Sequence, residues 1–467
     1  MQLKHIAFLT LSVVSTFAMA EGFDVVVVGS GGAGLSSAIT AKESGATVVV
    51  LEKMAYIGGN SNFASGGMNA AGTKQQLAAG VTQDSPELFY KDTMKGGHNL
   101  NNPALLKTLT ENAKYAEEWL VDLGAKFCFR KGRGGGQSIA RGHGPCDGSA
   151  VGPEILRVLT ERAAKDGIAI RTENQVVKIV MKNGAVAGVE VKTEDGVKTI
   201  DARAVVLATG GFGANQAMVT KYRPELKGFS TTNHPGALGE GIKLGEDVGA
   251  SLTDIEQIQI HPTVIKRDGH LISESMRARG AIMVNQKGER FCNELLTRDV
   301  VSQHVLKQPG GYAYLIYDQS IFDSNKLSRG YYKDGYSVKA ENLDELAQKI
   351  KVPAKTLKAT FAAYKKAYDT QKDTAFGRPE MVIALDKAPY YAAQITPGIH
   401  HTMGGLTINT KAEVQSKAGK SIPGLFAAGE VTGGVHGGNR LGGNAQADII
   451  VYGRIAGQSA TAYAKAH

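Results

Sequence analysis

A short apolar run, Phe23-Asp24-Val25-Val26-Val27-Val28, opens directly into Gly29-Ser30-Gly31-Gly32-Ala33-Gly34. A helix-like stretch follows from Leu35 to Ser44. A second apolar run, Thr47 to Leu51, then ends at Glu52. This β–turn–α–β order within about thirty residues predicts a Rossmann-like α/β domain that binds a dinucleotide. Gly29 allows the tight turn, Gly31 lets backbone approach a pyrophosphate, and Gly34 permits close contact between helix and strand. The helix start offers N–H donors and the positive end of a dipole. Glu52 stands 18 residues beyond Gly34, about where an acid can reach a ribose hydroxyl.

Glycine makes up 58 of 467 residues, with no collagen-like period. It clusters in short loops, where backbone packs close to a ligand. Two such loops follow later apolar strands: Ala208-Thr209-Gly210-Gly211 and Ala428-Gly429-Glu430. Extra loops of this kind suit a large, extended, permanently bound cofactor and favour FAD over NAD. Pro103 to Leu123 reads as a helix, with Leu106, Leu109, Ala113, Ala116, Leu120 and Leu123 at three- and four-residue steps. Residues 167–208 read as a β-meander, with Asn183-Gly184 and Asp195-Gly196 as hairpin signals. The stretch from about 256 to 400 carries less glycine, more helix and more charge. The organisation expected is one α/β domain interrupted by an α+β cap.

The first twenty residues stand apart. Lys4, an apolar run from Ile6 to Val14, and Ala18-Met19-Ala20 make a secretory leader with cleavage after residue 20. The run is too short to span a bilayer, and no stable membrane anchor is expected. The formal net charge is +9, and removing Lys4 lowers it to +8. Such a surface suits anionic substrates or an acidic redox partner. No Lys/Arg run interleaved with aromatics points to nucleic acid. Three cysteines, Cys128, Cys146 and Cys292, leave at least one unpaired. They form neither a C-x-x-C-H haem motif nor a metal site.

Five longer blocks go further: GGNSNFASGGMNAA at 58–71, HPT at 261–263, SESMRARGAIMVNQKGERFCNELLTRD at 273–299, HHTMGG at 400–405 and GGNRLGGNA at 437–445. In this order, over nearly the whole mature chain, they resemble the fumarate reductase/succinate dehydrogenase flavoproteins. The similarity is greatest to the soluble exported branch, the flavocytochrome c type. The resemblance implies an FAD domain split into 21–255 and 403–467 around a capping domain at 256–402. It also implies reduction of the C=C bond of a small unsaturated carboxylate, with hydride from flavin N5. Fumarate is the first candidate, and urocanate, methacrylate, acrylate or a cinnamate are alternatives.

The resemblance also implies roles. Arg298 matches the proton donor, with Glu274 and Arg277 as its relay. Arg440 matches the carboxylate clamp and His401 its partner, while His261 and Ser273 match positions holding a second carboxylate. The family usually has threonine where Ser273 stands, and the soluble branch has methionine where Leu271 stands. Met68 matches a residue lining the substrate pocket. FAD contacts are expected from Gly29, Gly31, Gly32, Ala33, Gly34, Glu52, Gly59, Asn60, Ser61, Gly66, Gly67, Thr209, Gly210, Gly211, Gly429, Glu430, Arg440 and Ala445. Gly58 to Gly67 contains no histidine to tether a flavin, so FAD is expected to be non-covalent. With no haem motif in this chain, a separate c-type cytochrome is the electron donor expected for a periplasmic enzyme. Read without the family, Arg298 beside Asp299 is a surface ion pair, and Glu274 with Arg277 is an i, i+3 helix pair.

Overall fold

The computed structural model describes residues 21–324 and 326–467. The expected leader, residues 1–20, lies outside the described residues. The strands Gly22–Val28, Val48–Leu51, Gly196–Leu207 and Ser421–Ala427 pair in parallel. Val25, Val26 and Val27 are fully buried in that sheet, where the helices Gly32–Glu43 and Asn444–Ala466 pack on its strands, and strands buried this deeply are continuously apolar.

The helix Gly32–Glu43 leaves the first strand at the glycine loop, and the C-terminal helix Asn444–Ala466 packs along it. Their approach is set by small residues. A Cβ on Gly457 would overlap the Ser37 carbonyl, and one on Gly453 would come within 2.7 Å of the Ala33 carbonyl oxygen. The Ser37 hydroxyl donates to the Gly453 carbonyl at 2.9 Å across this seam.

The two predicted hairpins form, joining Gln175–Lys182, Ala185–Thr193 and Gly196–Leu207 in antiparallel order. Ala169–Arg171 is not part of that meander. It pairs in parallel with Val48–Leu51, because the helix Val151–Lys165 returns the chain to the sheet edge as a crossover. The predicted helix at 103–123 runs over Pro103–Asp122, started by the Asn102 side chain.

A second hydrophobic core gathers buried residues from Ile265 to Ile395, whereas Ile258, Ile260 and Ile399 pack in the first. Two long strands therefore bridge the cores. Ile258–Val264 pairs antiparallel with Tyr390–Thr402, setting Gln259 opposite His401. The helix Arg298–Leu306 lies against the first of these strands.

Cys128 and Cys146 form a disulfide, and Cys292 is buried and free, in keeping with the odd count. The disulfide ties the strand Phe127–Arg130 to the turn just after the strand Gly142–Pro145. Among the described residues no helix is long and apolar enough to cross a membrane.

Candidate active site

The glycine loop lines one end of a long cleft. Its walls include Gly29, Gly31, Gly32, Ala33, Glu52, Gly59, Asn60, Ser61, Thr209, Gly210 and Glu430. Gly31, where the helix starts, has no side chain to cap it, and the Gly32 N–H donates to Ser61 Oγ at 3.0 Å, so the later N–H groups of the first turn are left for a ligand. Glu52 is held by its own loop. Its Oε2 accepts from the Ser30 N–H at 3.0 Å and the Ser30 hydroxyl at 2.6 Å, and its Oε1 accepts from the Met54 N–H.

Three buried polar atoms of residues on this cleft have no partner: Thr209 Oγ1, Asn174 Oδ1 and His234 Nε2. Unpaired buried polar groups are costly, and here a dinucleotide would satisfy them. The residues present fit FAD in that respect. Gly34, Gly211 and Gly429 do not line the cleft. A Cβ on Gly34 would overlap the Gly29 carbonyl, one on Gly211 would overlap Thr402 Oγ1, and one on Gly429 would press on Ala33. Their service is close packing behind it.

Asn60, Ser61 and Glu430 carry the first cleft into a second, lined also by Gly66, Gly67, Ala445, His400, His401, Arg298 and Arg440. Arg298 lies at the first turn of its helix and is buried. Its Nε donates to Glu274 Oε2 at 2.6 Å and its Nη1 to Gln259 Oε1 at 3.1 Å. Arg440 Nη2 donates to the same Gln259 oxygen at 3.2 Å. Gln259 is turned for this task, since its Nε2 donates to Asn439 Oδ1 and to the Arg440 carbonyl. The surface ion pair between Arg298 and Asp299 does not form. Asp299 faces the other way and meets His98 at 2.8 Å.

Arg277 Nη2 lies 3.7 Å from Glu274 Oε2, and its Nη1 donates to the Glu294 carbonyl at 2.6 Å. The Gly135 N–H donates to Glu274 Oε1 at 2.7 Å. Burial alone would raise the Glu274 carboxyl. Arg298, Arg277 and these hydrogen bonds outweigh it and bring the group to about 2. Glu274 is therefore a buried anion held by two buried cations. Arg440 moves the opposite way: burial first, then the neighbouring Arg298, lowers it to about 9.

Burial also holds His261, His400 and His401 well below the usual imidazole value. His401 Nδ1 lies 3.6 Å from Glu430 Oε1, and burial raises Glu430. Both shifts disfavour the charged forms of this pair. His401 Nε2 and His261 Nε2 are buried without partners. Ser273 is buried too. Its hydroxyl accepts from the Ser275 hydroxyl at 3.0 Å. Neither His261 nor Ser273 lines the second cleft, and Met68 sits in the apolar core, on a strand paired with His143.

Gln259 was not among the residues that the sequence singled out. The one signal for it is alternation: in Ile258–Val264 the polar Gln259, His261 and Thr263 share a strand face, although every residue of the strand is buried. A buried polar stripe of that kind needs partners, and Gln259 finds them in the buried cations Arg298 and Arg440.

Residues 24–445 match the family described as FAD binding domain. The chain belongs to that FAD-binding family. It is 48% identical over 447 residues to the NADH:fumarate oxidoreductase of Klebsiella pneumoniae (strain 342), covering 95% of this chain but 48% of that protein. The chain thus spans about half the length of that relative. It is 47% identical over 444 residues to the fumarate reductase (cytochrome) of Shewanella frigidimarina, covering 95% of this chain and 77% of that one. Among solved structures, the open conformation of a flavocytochrome c3 fumarate reductase superposes with a TM-score of 0.78. It is 45% identical to this chain and covers 95% of it, and the match takes in 79% of the solved chain.

Proposed function

We propose that this chain is an FAD-dependent reductase of the C=C bond of a small unsaturated carboxylate, with fumarate, reduced to succinate, as the first candidate. The observation that carries this reading is the joining of Arg298, Glu274 and Arg440 around Gln259 beside the dinucleotide cleft. The similarity to the Shewanella fumarate reductase supports it.

Arg440 is positioned to grip a substrate carboxylate through its planar fork. Its Nε is buried with no partner, and a carboxylate would supply the missing acceptor. Neutral His401 presents an unpaired Nε2 to the same cleft. When bound and reduced, FAD supplies the hydride that one alkene carbon receives. Arg298 gives a proton to the other carbon. Two of its three nitrogens are committed, to Glu274 and to Gln259, which leaves Nη2 to donate. A free guanidinium holds its proton above about pH 12, so donation requires immediate replacement. Glu274 at 2.6 Å and Arg277 beyond it form that relay. Closure of a water-poor cleft around these cations stabilises the charge developing on the carboxylate.

His261 and Ser273 hold the second carboxylate of a dicarboxylate in this reading, and Met68 packs behind the pocket. A second reading, reduction of urocanate, methacrylate, acrylate or a cinnamate, is favoured by one observation: neither His261 nor Ser273 lines the cleft that holds Arg298 and Arg440. The remaining assignments belong to the proposal as well. The enzyme is exported to the periplasm and its leader removed. FAD is non-covalent, since residues 58–67 contain no histidine. Residues 256–402 form the cap, and a separate c-type cytochrome delivers electrons.

Anaerobic oxidation of reduced methyl viologen by the FAD-loaded protein, with the five acids in parallel, tests the reading. Turnover with fumarate alone supports the dicarboxylate site. Preference for a monocarboxylate or urocanate keeps Arg298 and Arg440 but removes His261 and Ser273 from substrate binding. Inactivity with all five rejects the assignment.

A further inference from the structure

Most buried arginines among the described residues have an acid at hand. Arg141 meets Asp84 and Asp92, Arg378 meets Glu294, and Arg298 and Arg277 share Glu274. Arg440 has none, and it is the residue expected to wait for a substrate carboxylate. Two half-buried arginines, Arg130 and Arg279, share that condition.

Both line a third cleft, with Lys131, Glu274 and Arg298 on its walls. It joins the substrate cleft at Gly66, Gly67, Arg298 and Gly443, which line both. Among the described residues no carboxylate lies within ion-pair distance of Arg130, Lys131 or Arg279. Glu274 is the acid on this wall, and it is committed to Arg298, Arg277 and the Gly135 N–H. Asp147 attracts Arg130 from a distance but is paired with Lys326 at 2.6 Å. Arg130 is also fixed in place. Its Nη1 donates to the Gly66 carbonyl at 2.8 Å and its Nη2 to the Ser149 carbonyl at 2.7 Å, while its Nε is buried and unpaired. Burial and the repulsion of Arg279 lower Arg130 to about 10, as expected of cations held together with no anion between them.

The geometry points to a second anion site: a vestibule of Arg130, Lys131 and Arg279 that receives a small carboxylate before it passes to Arg298. The inference rests on the reductase reading for its purpose but not for its chemistry. Arg298 and Arg440 are buried, so an anion must lose its water on the way in. Three cations with no acid beside them along one cleft focus the field and raise the local concentration of the anion there. Lys131 is exposed and stands at the outer end, while Arg298 closes the inner end.

Lys131→Gln and Arg279→Gln, alone and together, test the vestibule in the FAD-loaded enzyme. The double variant is expected to lose roughly 10-fold in kcat/KM for fumarate and much less in kcat, since steering acts on capture. Its kcat/KM should also lose most of its dependence on ionic strength. Values of kcat/KM and a salt dependence equal to the unaltered enzyme would overturn the proposal. Calorimetric titration with succinate gives an answer that does not need turnover. Arg440→Ala, lacking the clamp, should still bind one succinate in a salt-sensitive manner, and adding the two vestibule substitutions should abolish it. No binding by Arg440→Ala would overturn the vestibule even if fumarate proves to be the substrate. Binding lost only in the combined variant would support it even if no enoate is reduced.

Discussion

Arg298 and Arg440 donate to one and the same oxygen, Gln259 Oε1, at 3.1 and 3.2 Å. Two like charges are thus brought close in a buried place by a neutral acceptor. An amide suits this position because a carboxylate there would occupy the cations that the proposed function leaves for substrate. Gln259→Leu removes the acceptor and leaves both guanidiniums under-bonded. Hydrogen bonds to charged groups contribute about 1.5–3 kcal/mol, so kcat/KM should fall roughly 10- to 100-fold by the relation of 1.4 kcal/mol per decade. Gln259→Glu should instead raise KM by competing for Arg440. Steady-state kinetics of the two variants separates these effects, and equal losses in both would reject the shared-acceptor account.

Glu274 links chemistry to stability. Its carboxyl lies near 2 in the folded chain, against an ordinary value of 4.5. A depressed carboxyl contributes stability above its unfolded value, and that contribution is lost as pH falls through the folded one. The window is therefore from about pH 4.5 down to about 2. Glu274→Gln should flatten the acid unfolding curve in that window, because the amide has no such proton to take up. On the proposed relay it should also slow reduction by about 100-fold or more. Acid titrations followed by circular dichroism, with activity at neutral pH beside them, check both. An unchanged acid curve would mean that Glu274 is not ionised in the folded protein.

Much of this was legible in the sequence because its signals are local. Gly29, Gly31, Gly34 and Glu52 lie within one β–α–β unit, and the Asn183-Gly184 turn dictates its own hairpin. Glu274, Arg277 and Arg298 fall in one block, so a match to a known family could place them together. Gln259 could not be read that way, since its importance arises from Arg440, 181 residues away. The parallel pairing of Ala169–Arg171 was hidden for a related reason. A three-residue strand carries too little pattern to name its neighbour. The mutual approach of Arg130 and Arg279 likewise depends on two segments far apart in the chain.

Gly34 gives a test of the dinucleotide cleft that involves no substrate. A Cβ there would overlap the Gly29 carbonyl oxygen, and that oxygen belongs to the turn that shapes the loop. Gly34→Ala should therefore push the helix Gly32–Glu43 off the strand and lose FAD. The flavin absorbance of the purified protein per mole of chain measures this. Gly59→Ala, where a Cβ would meet nothing within 4 Å, provides a comparison at a residue on the cleft with a positive φ of 48°. Full flavin content in Gly34→Ala would show that the turn can shift without disturbing the site.

A last prediction concerns an acid with no part in the chemistry. Glu117 lies on the inner face of the helix Pro103–Asp122 and is buried. Its Oε1 accepts from Gln75 Nε2 at 2.7 Å, while its Oε2 has no partner. Burial, with the nearby Glu118 adding to it, raises the group from 4.5 to about 7. A raised carboxyl stabilises the fold below its unfolded value and loses that contribution as pH climbs through the folded one. The protein should therefore weaken between about pH 4.5 and 7, because ionising Glu117 forces a charge into an apolar seam. Glu117→Gln keeps the shape and one hydrogen bond but cannot ionise. It should raise Tm at pH 8, by an amount on the order of 1–2 kcal/mol of stability, and leave Tm at pH 4 nearly unchanged. Thermal melts of both proteins at the two pH values decide the matter. A variant that melts lower than its parent at pH 8 would show that Glu117 is paired in a way that favours its charge.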